Sequence, residues 1–255
     1  MKRVFLLVVA FTLLCLQSCG QKVENSQQTD DLTEVIVSQE AIHLKRYAYR
    51  VWYSEQMRIP LAVSWYLTGN HTNGSYKRQG IPFHPDEEVS NPVTTFDYMQ
   101  SGYTRGHMCP SGDNRWSQRA QEESFLLTNI CPQHAKLNGG DWNTLEIQCR
   151  TWAKKYGKIY IVCGPLLRGD THKTIGKDRR RRITVPEAFY KVVLRTGDHP
   201  ATIGFIYNND ASSQPLSTAV RTVDEIEQLT GLDFFSALPD DIENAIEAQA
   251  SLGEW

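Results

Sequence analysis

Apolar positions along the chain recur with two different periods, which predict helices in some segments and strands in others. In one predicted helix the apolar residues follow one another at steps of three and four and share a face: Trp142, Leu145, Cys149, Trp152 and Tyr156. Gly157 comes directly after this face, and glycine is typical of a helix C-terminus. Amphipathic spacing also predicts helices at 223–229 and 240–248, and residues 117–124 are helix-like.

Runs of β-branched and aromatic residues predict strands between these helices. The runs cover residues 61–68, 158–164, 183–186, 188–194 and 201–207. Two shorter extended segments, 103–108 and 125–130, are each followed closely by a Cys-Pro pair, and residues 69–92 have the composition of a loop. Together the elements predict an α+β fold with a mostly antiparallel sheet flanked by helices.

The first residues have the layout of a secretory signal, with a basic start and an apolar run at 4–16. That run is too short for a membrane span of about 20 residues. The sequence Leu16-Gln17-Ser18-Cys19-Gly20 resembles a bacterial lipobox, in which the chain is cut before the cysteine and the cysteine carries lipid. We therefore predict a lipoprotein signal peptide at 1–18 and a membrane anchor at Cys19. An ordinary cleaved signal with an incidental cysteine is the alternative.

The next segment, 19–45, is polar and has few large apolar side chains, which predicts a flexible tether. Residues 46–255 are long enough for a single folded domain with one sizeable core. The signal predicts an exported protein, anchored to a membrane in the periplasm, at the outer membrane or at the cell surface.

The charge balance excludes a protein that is basic throughout. There are 27 Lys and Arg against 29 Asp and Glu, and removal of residues 1–18 changes the net charge from −2 to −4. Contact with a polyanion must therefore be local. The basic run 177–182, which contains Arg179 and Arg180, is either a solvated loop or a strip that binds phosphates.

Four of the six cysteines remain after the signal peptide and the predicted lipid anchor are set aside: Cys109, Cys131, Cys149 and Cys163. An even number in an exported protein permits disulfides, with three pairings for four cysteines. Cys109 and Cys131 each precede a proline near neighbouring extended segments, so we predict that these two are paired. With His107 and His134 they could instead form a zinc site in a binding module, although export favours disulfides over zinc thiolates.

Residue types suited to phosphodiester chemistry lie between Tyr103 and Arg150. A neutral histidine such as His107 can accept a proton from water near neutral pH, and Arg105 can bind a phosphate with two hydrogen bonds. Gly106 between them permits close backbone approach. Asn129 could hydrogen-bond across the two extended segments, and we expect its role to be structural.

Asn138 and Glu146 are eight residues apart, which in a continuous helix separates them by about 12 Å and rotates them by about 80°. Both could face one cleft, but only one could bind a small cation directly, the other acting through a water molecule. Mg²⁺ fits because it prefers oxygen ligands and keeps several waters. Glu146 and Arg150 have the spacing of an ion pair on a helix, which alone would indicate simple helix support.

Four spaced motifs carry a specific resemblance: R-G-H-M, D-N-R-W-S-Q, L-T-N-x-x-P-Q and L-N-x-x-x-W-N-x-L-E-x-x-x-R. With these motifs the chain resembles the DNA/RNA non-specific endonucleases of the endonuclease G group over about residues 45–245. The resemblance implies a ββα-metal (His-Me finger) core within the 46–255 domain. It assigns His107 as the general base, Asn138 as the direct ligand of Mg²⁺, for which Mn²⁺ can substitute, and Glu146 as a ligand through water.

The resemblance also implies that Arg105 and Arg150 stabilise phosphate charge, and Arg78 is our candidate for a further upstream arginine. Where the family has D-R-G-H, this chain has Thr104 in the first position. The implied activity is hydrolysis of DNA and RNA to 5′-phosphate products, and a homodimer is compatible with it. A relative that binds nucleic acid without cutting it is the alternative, supported by Thr104 alone.

Overall fold

The computed structural model describes residues 32–255, which are built around an antiparallel sheet of seven strands. These strands are β2 (Ile42–Lys45), β3 (Arg50–Ser54), β4 (Ile59–Thr68), β7 (Lys158–Leu166), β10 (Ala188–Arg195), β11 (Ala201–Asn208) and β12 (Val220–Arg221). Their order across the sheet is β12-β11-β10-β7-β4-β3-β2. Chain-distant strands are therefore neighbours, as in the central pair of β4 and β7.

Within residues 32–255, three two-stranded ribbons lie outside this sheet. They pair β1 (Val35–Val37) with β13 (Leu232–Phe234), β5 (Thr104–His107) with β6 (Ile130–Gln133), and β8 (Thr174–Ile175) with β9 (Ile183–Thr184). The described α-helices are α1 (Gly69–Thr72), α2 (Gln118–Glu123), α3 (Ala135–Gly139), α4 (Asp141–Tyr156), α5 (Leu216–Ala219), α6 (Val223–Thr230) and α7 (Asp240–Glu247). The ribbon β5–β6 and the helix α4 form a ββα unit on one side of the sheet.

Both faces of the sheet are buried because successive side chains of a strand point to opposite sides. Phe189 and Val193 of β10 pack in the cluster that contains the apolar face of α4. Tyr190 and Val192, which alternate with them, pack in a second cluster with α6 and β13. The α+β class and the mostly antiparallel sheet predicted from the sequence are thus confirmed.

Helix α4 follows the predicted apolar spacing. Four of the five residues of that face are buried, and the helix ends at Tyr156. Gly157 has a φ of 80°, a conformation that glycine adopts without the penalty of a Cβ atom. The helix does not continue back through Asn138, because Gly140 separates α3 from α4.

The second extended segment begins later in the chain than the predicted 125–130. Leu127–Asn129 forms a 3₁₀ turn, and the strand β6 runs through the Cys-Pro pair instead of ending before it. Pro132 lies opposite Arg105 in the ribbon. A proline is tolerated there because a two-stranded ribbon leaves one side of each strand without a backbone partner.

The predicted tether also requires a correction. Two strands, β1 and β2, lie within 19–45, so the folded region begins before residue 46. The mostly polar composition of the segment does not predict these strands, because each strand is stabilised by pairing with another strand. Val35 lies opposite Phe234, and Ile42 lies opposite Tyr53. The predicted signal peptide and Cys19 lie outside the described residues. Within 32–255, none of the helices has the length and apolar character that crossing a membrane requires.

Candidate active site

The ribbon β5–β6 presents two of the predicted residues on one face. Arg105 and His107 are two positions apart in β5, so their side chains leave the same side of the strand. Phe83 lies between them: the Arg105 guanidinium is 4.6 Å from the centre of its ring, and the His107 ring is 5.2 Å from it. A Cβ atom on Gly106 would point to the opposite face of the strand and would lie 2.2 Å from Gln133 Oε1. Only glycine fits at that position.

Asn129 joins the ends of the two strands from a fully buried position. Its Oδ1 accepts a hydrogen bond from the backbone N–H of Cys109 at 2.9 Å, and its Nδ2 donates to the carbonyl oxygens of Cys109 and Ser124 at 2.8 and 2.9 Å. These three bonds fix the chain that leaves His107 against the chain that enters β6. Asn129 therefore acts on the backbone around the site.

The predicted pairing of Cys109 with Cys131 is absent. All four cysteines between residues 32 and 255 are free and buried. Cys109 Sγ accepts a hydrogen bond from Asn114 Nδ2 at 3.3 Å, and Cys163 Sγ donates to the carbonyl oxygen of Met108 at 3.3 Å. The thiols serve as small apolar groups of the core, and burial raises the pKa of Cys131 well above its usual value.

A cavity of about 750 Å³ opens beside His107. Besides His107, its walls include four cationic side chains and a single carboxylate: Lys77, Arg78, Arg115, Arg150 and Glu146. Asn138 and Asn143 add two amides. This excess of positive charge in a concave site suits a phosphodiester substrate.

His107 is 9% exposed, and its ring is packed edge-on against Phe125 at a centroid distance of 5.0 Å. Burial, with the nearby charges of Arg78 and Arg105, lowers the pKa of His107 to about 3. The imidazole is therefore neutral at physiological pH. Its Nε2 is buried and has no hydrogen-bond partner among the described residues, so no protein group competes for this atom.

Glu146 projects from α4 into the cavity, with Arg150 one turn later on the same helix. Burial, together with the charge of Asp113, raises the pKa of Glu146 to about 7. The predicted Glu146–Arg150 contact is present at 3.9 Å, but Arg150 Nη1 makes a shorter bond of 2.9 Å to Asp113 Oδ1. Asp113 also accepts a hydrogen bond from Trp65 Nε1 at 3.1 Å. Asp113 thus holds the guanidinium at the cavity wall.

The sequence motifs do not predict the roles of Asp113 and Lys191 in the site. This lysine is 1% exposed in the central strand β10, with its ammonium group 4.5 Å from the centre of the Trp142 ring. The positive charge of Lys191 favours the ionised forms of both Asp113 and Glu146. A lone lysine in the otherwise apolar run 188–194 was the available signal.

Asn138 lies in α3 at the edge of the cavity, and Thr104 orients its side chain. Asn138 Nδ2 donates to Thr104 Oγ1 at 2.9 Å, while the threonine hydroxyl donates to the carbonyl oxygen of Gln133 at 2.8 Å. The amide nitrogen is thereby engaged, which leaves Oδ1 as the atom that Asn138 offers to a cation. The helix break at Gly140 means that the separation expected for a continuous helix does not apply between Asn138 and Glu146.

The other predicted arginines fall into three places. Arg78 lines the main cavity and an adjoining cavity of about 580 Å³, whereas Arg105 lines only the adjoining one. Arg179 and Arg180 are exposed in the loop between β8 and β9, and neither contributes to the walls of these two cavities. That loop is held to the core by the neighbouring Arg181, whose Nη2 donates to the carbonyl oxygen of Pro92 at 2.8 Å.

The donor atoms around the cavity fit a hard divalent cation. Asn138 Oδ1 and the Glu146 carboxylate are oxygen donors, which Mg²⁺ and Mn²⁺ accept. The zinc alternative is not supported within residues 32–255, where His107, Cys109, Cys131 and His134 do not form a group close enough to hold one ion.

Replacing Asp113 by alanine is expected to destabilise the protein by about 3 kcal/mol, because it leaves Arg150 and Trp65 without their buried acceptor. Urea unfolding of the variant and the wild type measures this loss. Arg119→Ala is the matched control, since it breaks the exposed pair with Glu123 and should lower the free energy of unfolding much less. Equal decreases in the free energy of unfolding of the two variants would show that the Asp113 contacts stabilise the protein no more than an exposed ion pair does.

The lowered pKa of His107 predicts a pH-dependent stability term. Between pH 6.5 and about 3 the unfolded chain binds a proton at this residue that the folded chain does not, so the term falls as pH is lowered through that range. At pH 5 the loss relative to pH 8 is about 2 kcal/mol. Glu146 acts in the opposite direction between pH 4.5 and about 7, because its folded pKa is raised.

The wild type alone therefore cannot isolate the term, and the His107→Asn variant is required as reference. We expect urea unfolding in EDTA to show that wild type loses about 2 kcal/mol more than this variant between pH 8 and pH 5. Parallel losses in both proteins would mean that His107 titrates normally in the folded state.

Comparison with known proteins identifies relatives of similar sequence and structure. The family model of the DNA/RNA non-specific endonucleases matches residues 29–241. The chain is 36% identical over 203 residues to a mitochondrial nuclease EXOG of Danio rerio, covering 73% of this chain and 58% of the relative. It is 32% identical over 213 residues to nuclease C1 of Cunninghamella echinulata var. echinulata, covering 76% and 83% of the two chains.

A mitochondrial endonuclease G of Bos taurus is 30% identical over 204 residues, covering 74% of this chain and 67% of the relative. The solved structure of an EndoG/EndoGI complex matches with a TM-score of 0.76 at 27% identity, covering 84% of this chain and 91% of the other. The chain spans between 55% and 58% of the length of the EXOG relatives. On the match to the family model and the identity to these relatives, the chain belongs to the DNA/RNA non-specific endonuclease family.

Proposed function

We propose that this protein is a divalent-metal-dependent endonuclease that hydrolyses phosphodiester bonds in DNA and RNA and leaves 5′-phosphate ends. The observation that carries the proposal is the neutral, buried His107 with an unpartnered Nε2 at the wall of a cavity rich in cations. A neutral imidazole has a lone pair that can accept a proton from an attacking water. Guanidinium groups beside it match the charge and shape of a phosphate.

In the proposed reaction His107 Nε2 takes a proton from the water that attacks phosphorus, the bond between phosphorus and the 3′ oxygen breaks, and the 3′ oxygen leaves with a proton from a second water molecule. Arg78 and Arg150 bind the phosphate oxygens, and Asp113 keeps Arg150 in position. Asn138 and Glu146 would hold a cation, Mg²⁺ or Mn²⁺, with Glu146 acting through water. When bound, this cation supplies positive charge that offsets the negative charge developing on the reacting phosphate.

The distribution of charge supports contact with a polyanion despite a net charge of −2. Nine of the 29 acidic residues lie after Arg221, where there is no Lys, Arg or His. The rest of the chain therefore has 27 basic residues against 20 acidic ones. The cationic side chains of the cavity suit phosphate groups, which DNA and RNA share, and we infer a site that binds the backbone and tolerates both sugars.

Circular single strands of DNA and RNA with the same sequence provide the test, because a circle has no end for an exonuclease. We expect both to be cut in Mg²⁺ or Mn²⁺ and neither in EDTA. The new 5′ ends should accept label from polynucleotide kinase only after phosphatase treatment. Intact circles in both metals would overturn the proposed function, in favour of a relative that only binds, and cutting of one sugar alone would overturn the proposed range.

We further propose export as a lipoprotein anchored at Cys19, on the basis of the signal and lipobox sequence. Labelling of cells with a radioactive fatty acid should mark the wild type and leave Cys19→Ala unlabelled. Equal labelling of both proteins, or of neither, would refute the anchor without affecting the proposed chemistry.

A further inference from the structure

All charged side chains after Arg221 are acidic, and some of them are buried in the folded protein. Helices α6 and α7 belong to this segment, and Val223 and Ile226 of α6 pack in the cluster on the opposite side of the sheet from α4. Thr202 Oγ1 ties α7 to the sheet by donating to the carbonyl oxygen of Ile246 at 2.8 Å. The two helices therefore bring carboxylates together at a place remote from the His107 cavity.

Three carboxylates from these helices converge. Oxygen atoms of Asp224, Glu227 and Glu247 lie within 4.8 Å of one another. Glu247 is 3% exposed, and its Oε1 is buried without a hydrogen-bond partner among the described residues. Glu243, one turn earlier in α7, also has a buried Oε1 without a partner. A buried carboxylate oxygen without a partner is costly, and here two lie one turn apart in the same helix.

The surrounding charges increase this cost instead of offsetting it. The groups that act on Glu247 are Glu227, Glu243, Asp224 and Asp233, all of them acidic. One backbone donor reaches the group, from Phe234 N–H to Glu227 Oε1 at 2.7 Å. Such a cluster is stabilised either by protons or by a cation.

We propose that Asp224, Glu227 and Glu247 form a binding site for a divalent cation of the Ca²⁺ type. The donors are all oxygen atoms, as hard cations require. Their mutual distances fit a shell with Ca–O distances of about 2.3–2.6 Å, in which opposite ligands are roughly twice as far apart. Asp224 is exposed, so water can complete the flexible coordination that Ca²⁺ accepts.

Such a cation links the first turn of α6 to the last turn of α7 and neutralises the acidic interior between them. The site is structural, so binding of a cation there should be measured as an increase in the stability of the folded protein. It is independent of the proposed nuclease chemistry, since none of its ligands lines the His107 cavity. A cation that binds only the folded chain raises the unfolding temperature as its concentration rises.

Thermal unfolding of the full chain in increasing CaCl₂ tests the site. Asn138→Ala is included in every protein, so that the proposed active-site ligand does not contribute. We expect the unfolding temperature to rise by about 5–10 °C when calcium exceeds its dissociation constant about 100-fold. Glu247→Gln and Asp224→Asn should each remove most of this rise. Asp241→Asn, which changes an exposed acid of α7, should keep it.

Asp224 is exposed, so its variant remains informative if Glu247→Gln fails to fold. Calorimetric titration with CaCl₂ should also give one site per chain in the Asn138→Ala background. No rise in unfolding temperature up to about 10 mM calcium would overturn the proposal, and protonation would then account for the buried carboxylates. A rise that persists in both cluster variants would overturn it as well.

Discussion

Replacing His107 by asparagine is expected to lower the rate of phosphodiester cleavage by about 10²–10⁴-fold while leaving nucleic-acid affinity nearly unchanged. Asparagine retains polarity and approximate size, but it cannot accept the proton of the attacking water. The arginines that would bind the substrate are untouched. Single-turnover cleavage of a fluorescent DNA strand gives the rate, and fluorescence anisotropy in EDTA gives the affinity.

His199→Asn is the matched control, because His199 is exposed in the turn between β10 and β11. It should cut DNA at the wild-type rate. A His107 variant that cleaves within a few fold of wild type would remove this residue from the role of base. A variant that instead loses binding would show that His107 contributes through substrate contact.

Replacing Asn138 by alanine is the second change with a large expected effect. We expect activity at a fixed low Mg²⁺ concentration to fall by about 10²–10³-fold, because the direct oxygen donor of the proposed cation site is lost. The Mg²⁺ concentration for half-maximal activity should rise in the same variant. Titration of the cleavage rate with Mg²⁺ measures both quantities.

Two further variants separate cation binding from general damage to the cavity. Thr104→Val removes the hydroxyl that orients Asn138, and we expect a smaller loss of about 10–100-fold with the same shift toward higher Mg²⁺. Asn143→Ala removes another amide of the same cavity and should leave the Mg²⁺ requirement near that of wild type. A Mg²⁺ requirement that moves in Asn143→Ala and stays fixed in Asn138→Ala would contradict the assignment.

The elements predicted correctly are those whose signal is local. The apolar face of α4 repeats through four turns, and Gly157 marks its end, so both could be read from adjacent residues. The strands β1 and β6 depend on partners elsewhere. Val35 pairs with Phe234, and Ile130 pairs with His107, and no pattern within either short segment specifies such a partner. Composition therefore suggested a tether where a strand forms.

The residues of the site also divide into those with a local sequence signal and those that depend on distant partners. The residue types and motif spacing around His107 predict which side chains carry chemistry, but they do not reveal the charges that set the protonation of these side chains. Asp113 reaches Arg150 across 37 positions of the chain, and Lys191 reaches the site from a buried strand. The cysteine pairing failed for a related reason, since nearness to neighbouring strand ends does not fix where a thiol points. Such relations exist only in the folded chain.

The most direct test of the central claim is cleavage of closed circular plasmid DNA by the purified wild type and His107→Asn proteins in Mg²⁺. We expect the wild type to produce nicked and then linear plasmid, and to produce neither in EDTA. The variant should leave the plasmid closed over the same period. Plasmid that stays closed with the wild type, or that the two proteins open at equal rates, would contradict a nuclease site built on His107.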